Sequence, residues 1–139
     1  MFSVAIVGHS LTPTSVSVTE VDIQVFRKPG AKWVDLDASE FQGFWNNNFD
    51  LVIFILGDND LTVSSSCSVI ERVKQVVVRA SKNCRNVRVF SAEKRSHASG
   101  NRFGVSNEVY NRQRSFYNRK LRRELCKLNV RVWILAYRG

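Results

Sequence analysis

The chain has 139 residues, of which 44% are hydrophobic, so it holds one core-forming domain over residues 1–139 and is neither disordered nor long enough for two domains. No apolar run approaches the roughly 20 residues of a membrane span, and no basic segment with an apolar signal core opens the chain. The net charge of +9 is unevenly spread: residues 1–70 carry three Lys/Arg against eight Asp/Glu, residues 71–139 eighteen against four. Such asymmetry says nothing of fold and points to anionic partners.

Phe2 to Gly8 is a short β-rich run broken by His9-Ser10-Leu11-Thr12-Pro13-Thr14. Val21 to Phe26 alternates weakly and forms a second strand, closed by Lys28-Pro29-Gly30. Asp37 and Glu40 have the spacing of a capping-box variant opening a short helix that turns Leu36, Phe41, Phe44 and Trp45 inward. Asn46-Asn47-Asn48 then leads into Asp50 to Leu56, an apolar run without polar alternation. That pattern predicts a strand buried on both faces, in the middle of a parallel sheet. It stops at Gly57-Asp58-Asn59-Asp60, four turn formers at a carboxyl strand end, where open α/β sheets bind their ligands.

Apolar residues at helical spacing (Val69, Ile70, Val73, Val77, Ala80) predict a helix over 66–81. Asn86 to Ala92 forms a fourth strand, followed by a Ser-, Gly- and Arg-rich loop over 93–105. Ser106 caps a long helix to about Leu128, with an inward stripe of Tyr110, Tyr117, Leu121, Leu125 and Leu128. Val130 to Tyr137 is the last strand. Alternating strands and helices predict an α/β fold: a three-layer α/β/α sandwich on a five-stranded parallel flavodoxin-like sheet. Cys67, Cys84 and Cys126 fit no disulfide framework or zinc site and read as reduced, buried thiols of an intracellular, cytoplasmic protein.

Three turns at strand ends carry a resemblance. Gly8-His9-Ser10, Lys28-Pro29-Gly30 and Gly57-Asp58-Asn59-Asp60 resemble, in order, blocks of the SGNH, or GDSL-type, serine hydrolase superfamily. Gly-His-Ser and Lys-Pro-Gly-Ala also occur in the esterase-like domains of animal retrotransposon proteins, which the chain resembles most in appearance. The resemblance implies ester hydrolysis without a cofactor or metal. Ser10 would be the nucleophile, and the Ser10 and Gly30 amides with the Asn59 side chain would form the oxyanion hole. On residue type alone, Ser10 also reads as a turn serine, Gly30 as the glycine of a Pro-Gly turn, and Asn59 and Asp60 as helix caps.

The pattern departs from the family twice. His9 stands where the family has an aspartate before the serine. The family's Asp-x-x-His, carrying the base and its orienter, is missing from these 139 residues. A serine hydroxyl without a base is a poor nucleophile. The chain therefore reads as an esterase-like domain with inactive or severely impaired chemistry, towards an ester or acyl substrate. His97 is the one candidate substitute base, or else a surface loop residue. The alternative is a catalytically dead module that binds nucleic acid or another anionic partner through the basic half, with Arg112, Arg119, Arg122 and Arg123 on the outer face of the last helix; that face reads equally as merely solvated. The apolar last strand, uncovered at one face, leads us to expect a homo-oligomer.

Overall fold

The computed structural model describes residues 1–9, 19–62, 64–92 and 106–136. Five strands, β1 (Phe2–Gly8), β2 (Val21–Arg27), β3 (Phe49–Ile55), β4 (Cys84–Phe90) and β5 (Val132–Leu135), pair in parallel in the order β2-β1-β3-β4-β5. With α1 (Gln42–Trp45), α2 (Ser66–Ala80) and α3 (Asn107–Leu125) between them, this is the α/β fold that the alternating pattern predicts. β3 lies at the centre of the sheet, as its unbroken apolar run requires.

Pairing aligns Ala5 with Val52, Val7 with Phe54, Val52 with Val87 and Phe54 with Val89. These residues share one sheet face and are fully buried against Phe44, Val69, Val73, Val77, Tyr117 and Leu121 from the helices. Their neighbours Leu51, Ile53 and Ile55 point to the other face and are half-buried. Beneath the β2–β3 crossover an aromatic cluster fills the space, with Phe44 stacked on Phe49 at 5.9 Å and edge-on to Phe54 at 5.8 Å. Aromatic pairs at such separations add to the area they bury.

Helix starts follow local chemistry. Ser65 Oγ accepts the Ser68 N–H and Ser106 Oγ the Val109 N–H, each capping its helix. The short helix expected after Asp37 is present as a 3₁₀ turn over Ser39–Phe41 that runs into α1, but its N-cap is Ala38 and the capping box at Asp37 and Glu40 does not form. Asp37 instead takes ion pairs from Arg79 at 2.9 Å and Arg72 at 3.8 Å, which tie this segment to α2. The last strand starts later than expected, at Val132, because the chain turns through Leu128 and Val130 before pairing with β4; Tyr137, its expected end, lies outside the described residues. Cys84 is buried, but Cys67 and Cys126 are exposed, which corrects the expectation of three buried thiols. Both sit at polar helix ends rather than on apolar stripes. No helix among the described residues is long and apolar enough to cross a membrane.

Candidate active site at the carboxyl edge of the sheet

β1, β2 and β3 are adjacent and parallel, so the segments that follow them emerge side by side. After β2 the chain makes a tight turn in which the Ala31 N–H donates to the Lys28 carbonyl at 3.1 Å. Pro29 fixes the first central position, and Gly30 at φ +73° takes the second, which demands a positive φ: a type II turn. Gly30 is exposed, and its N–H has no acceptor among the described residues.

After β3, Gly57 takes φ +121° and delivers Asp58, Asn59 and Asp60 beneath the edge, all three buried. A side chain at Gly57 would meet strain twice, since a Cβ there would lie 3.1 Å from the Tyr117 hydroxyl. Asn59 Nδ2 donates to the Ala31 carbonyl at 3.3 Å. The structure thus brings Asn59 and the Gly30 turn together although 28 residues separate Asn59 from Ala31. Asp60 Oδ1 accepts the Trp33 N–H at 2.9 Å, which fastens the same two segments a second time.

Asp58 is bound from two sides: His9 Nε2 lies 3.1 Å from its Oδ2, and the Tyr110 hydroxyl donates to its Oδ1 at 3.2 Å. His9 also donates its backbone N–H to the Ile55 carbonyl at 3.2 Å, extending the β1–β3 pairing by one residue. The imidazole standing where the resemblance calls for a carboxylate is therefore buried in a hydrogen-bonded pair. Asp58 and Tyr110 carried no role in the sequence reading. The signal was present: the order β2-β1-β3 puts the residue after Gly8 next to the residues after Leu56.

Burial makes this layer electrostatically unusual. Desolvation pushes the Asp60 carboxyl up to about 6 from an ordinary 3.8, against the lowering effect of the Trp33 N–H. Tyr117, entirely buried, is pushed well above the usual phenol range, first by desolvation and then by the Asp60 charge. Among the described residues Asp60 Oδ2, Tyr117 Oη and Trp33 Nε1 are buried polar atoms without a hydrogen bond of good geometry, although the Trp33 indole acts on the Tyr117 hydroxyl as a weak donor that opposes its upward shift. Among the described residues no cluster of three or more His, Cys, Asp or Glu side chains could hold a metal ion.

Ser10 and His97 lie outside the described residues. Arg112, Arg119, Arg122 and Arg123 are carried by α3, whose buried side is formed by Tyr110, Tyr117, Leu121 and Leu125. A hollow of about 340 Å³ lined by Asp50, Lys82, Asn83 and Arg85 lies at the amino ends of β3 and β4, the opposite edge from Gly30 and Asn59.

No protein-family model matches the chain, and no curated protein sequence matches it. Solved structures do. An acetylxylan esterase, Axe2, from Geobacillus stearothermophilus is similar with a TM-score of 0.69 and 13% identity, over 94% of this chain and 74% of that one. A member of the lipolytic G-D-S-L family from Veillonella parvula DSM 2008 is similar with a TM-score of 0.67 and 12% identity, over 95% and 76%. The aryl esterase of M. smegmatis gives 0.65 and 12%, over 96% and 84%. The chain shares the fold of GDSL-type lipases and esterases.

Proposed function

We propose that the carboxyl edge is an acyl-transfer site of the SGNH type, acting on carboxylic esters, with Ser10 as the nucleophile. The observation that carries this reading is the hydrogen bond from Asn59 Nδ2 to the Ala31 carbonyl, which sets the Asn59 amide beside the Gly30 turn at the strand ends. Ester hydrolysis through a serine creates an oxyanion on the former carbonyl oxygen, and fixed donors aimed at that oxygen lower its energy most. The Gly30 N–H, which has no acceptor among the described residues, and the Asn59 side-chain amide are donors of the kind that role needs; the Ser10 N–H would be the third. Ser10 Oγ would add to the ester carbon, the alcohol would leave, and water would release the acid from the acyl-enzyme.

Within these 139 residues the site has donors without an evident base. His97 is the candidate substitute, and His9 is engaged with Asp58. The expected chemistry is therefore slow, since losing the base of a serine site typically lowers the rate by about 10⁴–10⁶-fold. Hydrolysis of p-nitrophenyl acetate by the 139-residue chain, compared with Ser10→Ala and His97→Ala, tests the proposal. A rate lost with Ser10 supports it, and a rate lost with His97 too identifies the base.

A second reading rests on charge. α3 carries Arg112, Arg114, Arg119, Lys120, Arg122 and Arg123 against Glu108 and Glu124, and Arg119, Arg122 and Arg123 form no ion pair among the described residues. This helix face suits a polyanion such as nucleic acid, bound through phosphate contacts with little sequence preference.

A further inference from the structure

We infer that the outer face of α3 binds single-stranded nucleic acid, with Phe116 as the platform on which a base stacks. The inference deepens the polyanion reading and rests on it.

Phe116, Arg119, Lys120 and Arg123 line one hollow of about 220 Å³. Their spacing, i, i+3, i+4 and i+7, places them on one side of the helix, and Arg112 one turn earlier continues the row. At 1.5 Å per residue the row from Arg112 to Arg123 runs about 16 Å, long enough to follow successive phosphates of an extended strand. The opposite side of α3 is spent on the core: Tyr110 and Tyr117 are completely buried, whereas Phe116 is 45% exposed. A phenylalanine left half open on so polar a helix buries little of its area and keeps apolar surface in contact with solvent.

The charges round that ring are only partly paired. Arg112 pairs with Glu108 at 3.5 Å and Lys127 with Glu124 at 3.1 Å, but Arg119 and Arg123 form no ion pair among the described residues. Lys120 Nζ lies 5.8 Å from the Phe116 ring centroid and 3.2 Å from Cys67 Sγ at the start of α2, and forms no ion pair among the described residues. Like charges at i and i+4, here Arg119 and Arg123, disfavour the helix, and a bound anion removes that cost.

A ligand that satisfies the whole patch needs several negative charges in a row and a flat face for the ring. Phosphates joined by unpaired bases have both, and aromatic–base stacking tolerates any sequence. A duplex hides its bases and could use only the cations. A lipid surface would want an apolar helix face, and the apolar face of α3 is buried in the core.

Fluorescence anisotropy with a labelled oligothymidylate at low salt tests this, repeated with a duplex of equal length, with inorganic polyphosphate as competitor and with anionic vesicles. All the residues changed are on the outer face, and circular dichroism checks each fold. Single-strand binding is expected to weaken steeply with salt, to fall about tenfold in Phe116→Ala, to persist in Phe116→Trp, and to vanish in Arg119→Glu/Arg123→Glu. Binding unchanged by Phe116→Ala, or equal for duplex and polyphosphate, would overturn the stacking site and leave the polyanion reading standing. Absence of binding at low salt, or binding indifferent to the charge reversals, would overturn both. Preference for the vesicles would assign the face to membranes and overturn the nucleic-acid site.

Discussion

His9 and Asp58 lie 49 residues apart and meet at 3.1 Å, Nε2 to Oδ2, where the first and third strands end side by side. The pair is buried, so its groups depend on one another rather than on water for their hydrogen bonds. His9→Ala leaves the Asp58 carboxylate without its imidazole partner and opens a cavity; a loss of about 2–3 kcal/mol is expected. His9→Gln, whose amide nitrogen reaches towards the same oxygen, should lose less. Urea unfolding of the two variants measures the difference, and an unchanged midpoint for His9→Ala would show that the pair contributes nothing.

The fold was readable because its signals were local. The unbroken run from Asp50 to Leu56, the spacing in α2 and the Ser106 cap each act within one element, and each stands in the structure where those residues place it. What could not be read lies between elements. Asp37 looked like a cap from its spacing to Glu40, yet Arg79 and Arg72 compete for it across the fold. Of the site residues named from motifs, Gly30 and Asn59 meet through Ala31, while Asp58 went unassigned because its partners, His9 and Tyr110, are distant in sequence.

Two tyrosines on one helix should respond oppositely to loss of the hydroxyl. The Tyr110 hydroxyl donates to Asp58, so Tyr110→Phe removes a bond to a buried carboxylate and should cost about 1–3 kcal/mol. The Tyr117 hydroxyl is buried and makes no hydrogen bond of good geometry among the described residues, so Tyr117→Phe should be neutral or stabilising. Gly57→Ala should cost about 1–3 kcal/mol through its positive φ and the nearby hydroxyl. Combined with Tyr117→Phe, part of that cost should return, which a double-mutant cycle measures.

Asp60 predicts a pH dependence of unusual sign for a carboxylate. Its folded value of about 6 exceeds the ordinary 3.8, so the folded state holds the proton more tightly than the unfolded chain. The stability that this proton contributes is complete below 3.8 and is lost as pH rises through 6, on the order of 3 kcal/mol by pH 7. Asp60→Asn keeps an acceptor for the Trp33 N–H and cannot ionise. It should be the more stable form at pH 7 and converge on the parent near pH 4. Thermal melts of both proteins from pH 4 to pH 8 check this; parallel curves would mean that Asp60 does not titrate in this range.

The central claim is that Gly30 and Asn59 supply an oxyanion site to Ser10, and Asn59→Ala addresses it directly. Removing one such donor typically lowers the rate about 10²–10³-fold. The measurement is the rate of p-nitrophenyl acetate hydrolysis by the unaltered chain, Asn59→Ala and Ser10→Ala, with folding confirmed for each. The account predicts a slow rate above buffer in the unaltered chain, lower by about 10²–10³-fold in Asn59→Ala and lost in Ser10→Ala. A rate that survives both substitutions, or an unaltered chain no faster than buffer, would contradict it.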